Sequence, residues 1–379
     1  MSVPIHTYIW KTQSRCNLDC TYCFVYNRAD GRWSRQPAMM SEETCRRGAE
    51  RIVEHCVSQS KKDVQIVFHG GEPLLGKFDH LRMLFDTIRN VFQDTGVSYQ
   101  IGMQSNGLLF TPEIGELMRE NRASIGISLD GPPHINDRHR IDHMGRGSGV
   151  RLHDKLILIR DNFADVFSGF LCVIDVTQDP IEIYDYLAQF EPKLIDYLLP
   201  YDNHDRLPPG KTESPNSTPY ADWMISLFDY WCELNEPVRI RHFESIVRLL
   251  SGASSLVESS GLDPVDLIVM ETNGEFEAVD SLKAALDGVT ELGFNAFDHS
   301  INEVAKHVMV KNRQIGSEEL CDTCRGCSIV DVCGGGYLPT RYSADRGFDN
   351  PSVYCSDHDK LIHHVLHRLQ SELKQECRA

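Results

Sequence analysis

The chain has 379 residues, 41% of them hydrophobic and 25% charged, proportions of a globular protein with room for one large α/β unit and a smaller one. A formal net charge of −17, from 55 acidic against 38 basic residues, excludes a nucleic-acid backbone as the main partner. No N-terminal apolar run resembles a signal peptide and no stretch reaches the ~18 apolar residues that would cross a bilayer, so a cytoplasmic protein with no membrane partner is expected.

In chain order, the strand candidates HTYIW (6–10), VQIVFHG (64–70), YQIGMQSNG (99–107), SIGISLDG (124–131) and GFLCVIDV (169–176) are separated by longer segments, several of helical period. SEETCRRGAERIVEHCV (41–57) places Ser41 as N-cap and Thr44 in the first turn; FDHLRMLFDTIRNVFQ and EIGELMREN follow. The alternation predicts an α/β fold with a parallel sheet. Periodicity alone leaves open whether that sheet is a barrel or doubly wound. The Pro/Gly/Ser-rich DNHDRLPPGKTESPNSTP (202–219) reads as a long loop, and two helices follow at about 220–235 and 241–251. LIVMETNGEFEAVDSL reads as a β-hairpin turning at Asn273-Gly274, and an amphipathic helix from about 357 to 373 comes last. The expected division is residues 1–235 and 236–379.

The 13 cysteines, in a reducing compartment, are not a disulfide framework. Cys45, Cys56, Cys172, Cys232 and Cys377 are scattered and read as small apolar fillers. The other eight form two clusters, Cys16/Cys20/Cys23 and Cys321/Cys324/Cys327/Cys333/Cys355, whose short spacings point to metal. Zinc in a structural site wants four protein ligands, whereas a thiolate-held iron–sulfur cubane can leave one iron open. CNLDCTYCFVYN supplies three thiols and aromatic neighbours directly after a strand candidate, which favours the second possibility.

With Tyr22 before its last cysteine, this loop resembles the cluster-binding loop of the radical S-adenosylmethionine enzymes. HGGEPLL (69–75), QSNG (104–107), SLDG (128–131) and HINDRHR resemble further elements of that family, in the same order. Each alone is an ordinary turn or strand end; together they carry the resemblance. It implies a partial (β/α)6 barrel with chemistry at the C-terminal strand ends. It also implies a [4Fe–4S] cluster on Cys16, Cys20 and Cys23, with S-adenosylmethionine as the remaining ligand and source of a radical that abstracts hydrogen. Cofactor contacts would come from Tyr22, Gly70, Gly71, Glu72, Ser105, Asn106, Ser128, Asp130 and Arg140, with the Glu72 carboxylate meeting the methionyl ammonium. A flavodoxin or ferredoxin would supply electrons.

CDTCRGCSIVDVCGGGY, followed by Cys355 in NPSVYC, resembles the SPASM extension of radical enzymes that modify peptides. By spacing alone it could equally be a structural zinc or iron–sulfur knot. The resemblance implies one auxiliary [4Fe–4S] cluster on Cys324, Cys327, Cys333 and Cys355, with Cys321 as a spare. A second auxiliary cluster would be lost, because Tyr337 stands where the pattern carries a cysteine. Together with ETNGEFEAVDSLK, these segments resemble enzymes that act on ribosomally made precursor peptides, including three-residue cyclophane formers. The expected reaction is therefore hydrogen abstraction at a Cβ and C–C crosslinking to an aromatic ring. Asp280 is the candidate base for the proton lost afterwards, or alternatively the cap of a helix starting at 281 or 282. Sulfatase maturation to formylglycine and peptide epimerisation are the alternatives, Tyr337 weighing against the former; a zinc-holding scaffold is the remote one. Because the chain starts almost at its first strand, leader recognition is expected from the C-terminal region or a separate leader-binding protein.

Overall fold

Strand β1 (Thr7–Gln13) carries the buried Tyr8 and Trp10 and sits inside a sheet of nine strands. The computed structural model describes residues 4–376, and Cys377 lies outside the described residues. On one side of β1, strands β2 (Asp63–Gly70), β3 (Ser98–Ser105), β4 (Ser124–Ser128), β5 (Phe167–Val173) and β6 (Ile195–Leu198) follow in sequence order, all parallel. Helices α1 (Glu42–Ser58), α2 (Lys77–Phe92), α3 (Pro112–Glu120), α4 (Pro133–Asn136), α5 (Gly149–Phe163) and α6 (Pro180–Ala188) make the crossovers. This is the mixed α/β arrangement of a partial barrel. Helix α1 shows why it forms here: Ser41 Oγ accepts from the Thr44 N–H at 3.1 Å, and Cys45, Ala49, Ile52 and Cys56 make one buried stripe. Cys45, Cys56 and Cys172 are fully buried fillers, and Cys232 packs against the same core.

Strand β6 and helices α5 and α6 were not singled out in the sequence. Ile195–Leu198 is four residues long, too short for a periodic signal, and its place is set by pairing with β5. Strands β3 and β4 stop at Ser105 and Ser128, earlier than the apolar runs suggest. Gly107 (φ +74°) and Gly131 (φ +129°) follow them, conformations that end an extended strand.

On the other side of β1 lies β7 (Leu267–Met270), parallel to it, then β8 (Glu275–Glu277) and β9 (Glu291–Asn295), antiparallel. The hairpin at Asn273-Gly274 is present; it follows helices α7 (Pro219–Glu233) and α8 (Arg241–Leu250) in the chain and extends the barrel sheet beyond β1. The C-terminal helix Cys355–Glu376 packs on α7 and α8.

Behind the hairpin is a buried charge cluster. Lys283 Nζ lies 2.6 Å from Glu271 Oε1 and 2.7 Å from Glu277 Oε2, and Arg32 Nη1 reaches the other Glu277 oxygen at 2.8 Å. Two carboxylates thus share one enclosed ammonium. Burial pushes Glu277 up, as does the nearby Glu271, to about 7, while Lys283 overcomes burial to hold Glu271 down. Removing Lys283 leaves Glu271 without its buried partner and Glu277 with Arg32 alone. Lys283→Met should cost about 3–5 kcal/mol of unfolding free energy, and adding Glu271→Gln should recover part of it, both read by denaturant or thermal unfolding. A single variant as stable as the parent would show that the cluster holds nothing together.

Candidate active site

The register of β1 on β2 brings Lys11 beside His69, at the C-terminal ends of both strands. The chain leaves β1 into the cysteine loop and leaves β2 into Gly70-Gly71. These two segments are in backbone contact: Gly71 N–H donates to Gln13 O at 2.8 Å and Glu72 N–H to Arg15 O at 3.0 Å. Both glycines are fixed by this approach. A Cβ on Gly70 would lie 2.0 Å from Gln13 O, and one on Gly71 2.0 Å from Tyr26 Oη.

A cavity of about 320 Å³ opens above the strand ends. Cys16, Cys20, Cys23, Tyr22, Gly70, Gly71, Ser105, Asn106, Ser128, Arg140 and Asp280 all line it. The residues singled out from widely separated motifs therefore share one chamber, with two exceptions. Glu72 and Asp130 stand one layer behind the wall. The Glu72 carboxylate has no exposed surface and accepts from Ser105 Oγ (2.7 Å), Asn106 N–H (2.7 Å) and Leu74 N–H (2.9 Å). Asp130 accepts from Tyr22 Oη at 2.6 Å and Val173 N–H at 3.0 Å; Tyr22 Oη in turn accepts from Arg140 Nη1 at 2.9 Å. Asp130 thereby orients Arg140 through Tyr22.

The wall has properties suited to a cluster and an anionic ligand. Burial pushes the thiols of Cys16 (about 12), Cys20 (about 11) and Cys23 up, and a bound cation is what makes such thiols ionise. Leu18 N–H already donates to Cys16 Sγ at 3.4 Å, a contact that favours a thiolate. Arg140 Nε is buried without a hydrogen-bond partner and belongs to a cavity-lining side chain, so a carboxylate there would satisfy it.

Asp280 opens a 3₁₀ turn, Asp280–Ala284, whose N-cap is Val279, so the helix-cap alternative is corrected. Its carboxylate pairs with Lys11 Nζ, and Lys11 also lies 2.9 Å from His69 Nδ1. Burial raises the Asp280 carboxyl, but Lys11, His69 and Lys283 outweigh it and hold it at about 2. His69 is pushed down to about 4 by burial and by Lys11. Lys11 was missed in the sequence; the available signal was a lysine directly after the apolar residues Tyr8, Ile9 and Trp10. Tyr201, another wall residue, follows the unrecognised β6. It lies 5.3 Å from the Phe24 ring and 5.3 Å from Tyr337, whose hydroxyl meets Ser281 Oγ at 2.6 Å.

A second cavity of about 620 Å³ is lined by Cys324, Cys327, Cys333 and Cys355, under residues 204–215 of the long loop. Cys321 is off its wall and packs with Cys324 and Leu320. Lys211 ties the loop down through Asp357 and the Ser217 carbonyl (2.7 Å).

Residues 10–187 match the family described as the Radical SAM superfamily. That match runs from within strand β1 to beyond β5. The chain is an enzyme of the radical SAM type. It is 25% identical over 376 residues to a cysteine-type anaerobic sulfatase-maturating enzyme of Clostridium perfringens, covering 97% of each chain. A serine-type anaerobic sulfatase-maturating enzyme of Bacteroides thetaiotaomicron is 23% identical over 383 residues, covering 96% of this chain and 89% of the relative. The solved structure of native anSMEcpe with bound AdoMet and Cp18Cys peptide superposes with a TM-score of 0.80 at 22% identity, over 98% of this chain and 99% of that one. The expected cyclophane crosslinking is overturned by these matches. They run nearly end to end and favour the sulfatase-maturation alternative, whereas the crosslinking reading drew on the C-terminal third. No helix among the described residues is long and apolar enough to cross a membrane.

Glu72→Gln tests the role of the enclosed carboxylate. An amide nitrogen would face donors at Asn106 or Ser105, at a cost of about 1–3 kcal/mol for each group left unsatisfied. The expected outcome is a lower Tm with iron content unchanged. A variant of parental stability that has lost iron would place Glu72 on the metal.

Proposed function

We propose that the chain oxidises the side chain of a cysteine or serine within a protein substrate to an aldehyde, as in sulfatase maturation. The observation that carries the reading is the single chamber in which three cysteines, an unsatisfied arginine and an ionised carboxylate meet. Similarity along nearly the whole length to enzymes of cysteine and serine type supports it.

In this reading Cys16, Cys20 and Cys23 hold a [4Fe–4S] cluster, and Arg140, steadied by Tyr22 and Asp130, takes the carboxylate of S-adenosylmethionine. Ser105, Asn106, Ser128 and the Gly70-Gly71 backbone supply the remaining contacts, and Glu72 holds Ser105 and Asn106 in place. When bound, these groups supply the hydrogen-atom abstractor. Cys324, Cys327, Cys333 and Cys355 would hold one auxiliary cluster, a group able to take up the electron the substrate gives up.

The substrate loses one hydrogen atom from Cβ, then one proton and one electron. From –CH2–OH this gives the aldehyde directly. From –CH2–SH it gives a thioaldehyde, which water converts to the aldehyde with release of H2S. Asp280 takes the proton. Its carboxylate is unprotonated at neutral pH and so has room for a proton, and the greater acidity of an S–H or O–H beside a carbon radical offsets the low basicity that Lys11 imposes on it. Lys11 keeps the carboxylate ionised, and the His69 ring lies 3.9 Å from it on the chamber wall.

Anaerobically reconstituted protein should hold roughly eight irons, falling to about half when Cys16, Cys20 and Cys23 are replaced by Ala, with loss of reductive S-adenosylmethionine cleavage. Iron near twelve would mean a second auxiliary cluster. With paired peptides differing only in Cys or Ser at the target, mass spectrometry of products should show the aldehyde. A crosslinked product two mass units lighter, with its thiol or hydroxyl intact, would sink the proposal. Asp280→Asn should still form 5′-deoxyadenosine while aldehyde falls at least tenfold. Because it also strands the Lys11 ammonium, the double variant Lys11→Met/Asp280→Asn serves as the stability control. A parental ratio of aldehyde to deoxyadenosine in Asp280→Asn would remove Asp280 from the reaction.

A further inference from the structure

The segment that follows SLDG has a feature the proposed reaction does not use. Residues 138–155 carry five Arg or Lys against two Asp, in a chain whose net charge is −17. Met144 and Val150, at 79% and 66%, are the two most exposed large hydrophobic side chains among the described residues. Arg146 and Arg151 flank them, exposed at 73% and 52%, and share the single enclosed carboxylate of Asp142. Arg138, half exposed, faces Asp175. Exposed apolar side chains thus alternate in sequence with exposed arginines, two of which share one carboxylate, on an otherwise acidic protein.

This patch is bonded directly to the cysteine loop. Asp19 N–H donates to Ile141 O at 2.7 Å and Thr21 N–H to His139 O at 3.0 Å. Thr21 Oγ1 lies 2.7 Å from His139 Nδ1, and His143 Nε2 donates to the Cys16 carbonyl at 3.0 Å. Of residues 138–151 only Arg140 reaches the chamber, so the rest approach the loop from the side away from it.

We infer that Met144, Val150, Arg146 and Arg151 form the docking surface for an acidic one-electron carrier protein of flavodoxin or ferredoxin type. The inference rests on the proposed cluster at Cys16, Cys20 and Cys23. The carrier passes from its reduced form to the form one electron more oxidised; the cluster gains that electron, and no atom changes place. An acidic carrier is repelled by the enzyme as a whole, so approach is productive only where the local field is positive. Met144 supplies apolar contact on the turn that Asp142 shares with Arg146, the combination of a small transient interface. The path from the docked surface is short and crosses one hydrogen bond: His143 precedes Met144, and its ring donates to the carbonyl of Cys16.

The experiment uses the reconstituted enzyme with an acidic flavodoxin and an acidic ferredoxin as probes. It compares parent, Met144→Asp and Arg146→Gln/Arg151→Gln. Binding is measured by titration calorimetry at low and moderate salt, and S-adenosylmethionine cleavage is driven either by the reduced carriers or by dithionite. Expected are at least tenfold weaker binding and tenfold slower carrier-driven cleavage in both variants, parental binding that weakens with salt, and unchanged dithionite-driven cleavage. Parental binding of both carriers by both variants overturns the inference. So does a raised KM for the peptide under dithionite with carrier binding intact, which would assign the patch to the protein substrate. Failure of dithionite-driven cleavage in the parent would count against the cluster reading, while the binding measurement would still decide the docking surface.

Discussion

The ion pair between Lys11 and Asp280 constrains the site more than any other contact. Lys11 stands near the C-terminal end of the first strand with its side chain almost wholly enclosed, and its partner lies 269 residues further along the chain. A buried ammonium without a counter-ion costs several kcal/mol, so the turn that carries Asp280 must sit over the ends of β1 and β2. Ser281 is then brought to Tyr337, and through it the segment of the second cysteine cluster is oriented against the barrel. One charge pair thus relates the two halves of the chemistry. The parallel pairing of β7 with β1 delivers the turn to the right end of the sheet.

The chamber can be understood by asking which polar groups are already satisfied. Asp280 has Lys11, Glu72 has three donors, and Asp130 has Tyr22 and a backbone N–H. These groups are spent on holding other residues. What is left open is Arg140 Nε, Tyr26 Oη and the cysteine thiols. A buried donor with no partner is costly, and it persists where a ligand is meant to complete it. The anion-binding capacity of the wall therefore resides in Arg140, and the acidic residues quoted from the motifs serve mainly behind it.

Much of this was legible in the sequence because the barrel strands are long and their motifs sit at strand ends. HGGEP, QSNG and SLDG follow β-branched or apolar runs, and the spacing of Cys16, Cys20 and Cys23 is local. What could not be read depends on contacts distant in sequence. Lys11 acquires meaning only beside Asp280, and Glu72 acquires its enclosed place only when β3 is laid next to β2. Strand β6, four residues long, exists because β5 offers it an edge, and Tyr201 was lost with it. The product was misread for a related reason. Cysteine spacing in the last third of the chain reports a metal site, and the chemistry done on a substrate depends on the chamber those residues close.

The shape of that chamber bears on which chemistry is favoured. Phe24, Tyr201 and Tyr337 form a continuous aromatic wall, and Tyr337 occupies the position where the cysteine pattern would continue. About 320 Å³ lies at the lower end of ligand pockets, which run from about 300 to 1,000 Å³. In the proposed function this space takes the cofactor and the reacting part of the substrate together. A crosslink needs two side chains and the backbone between them to converge on one point. Oxidation of a cysteine or serine needs one Cβ and one heteroatom. A small chamber with a bulky aromatic end, and an ionised carboxylate where a proton must leave, therefore favours the single side chain.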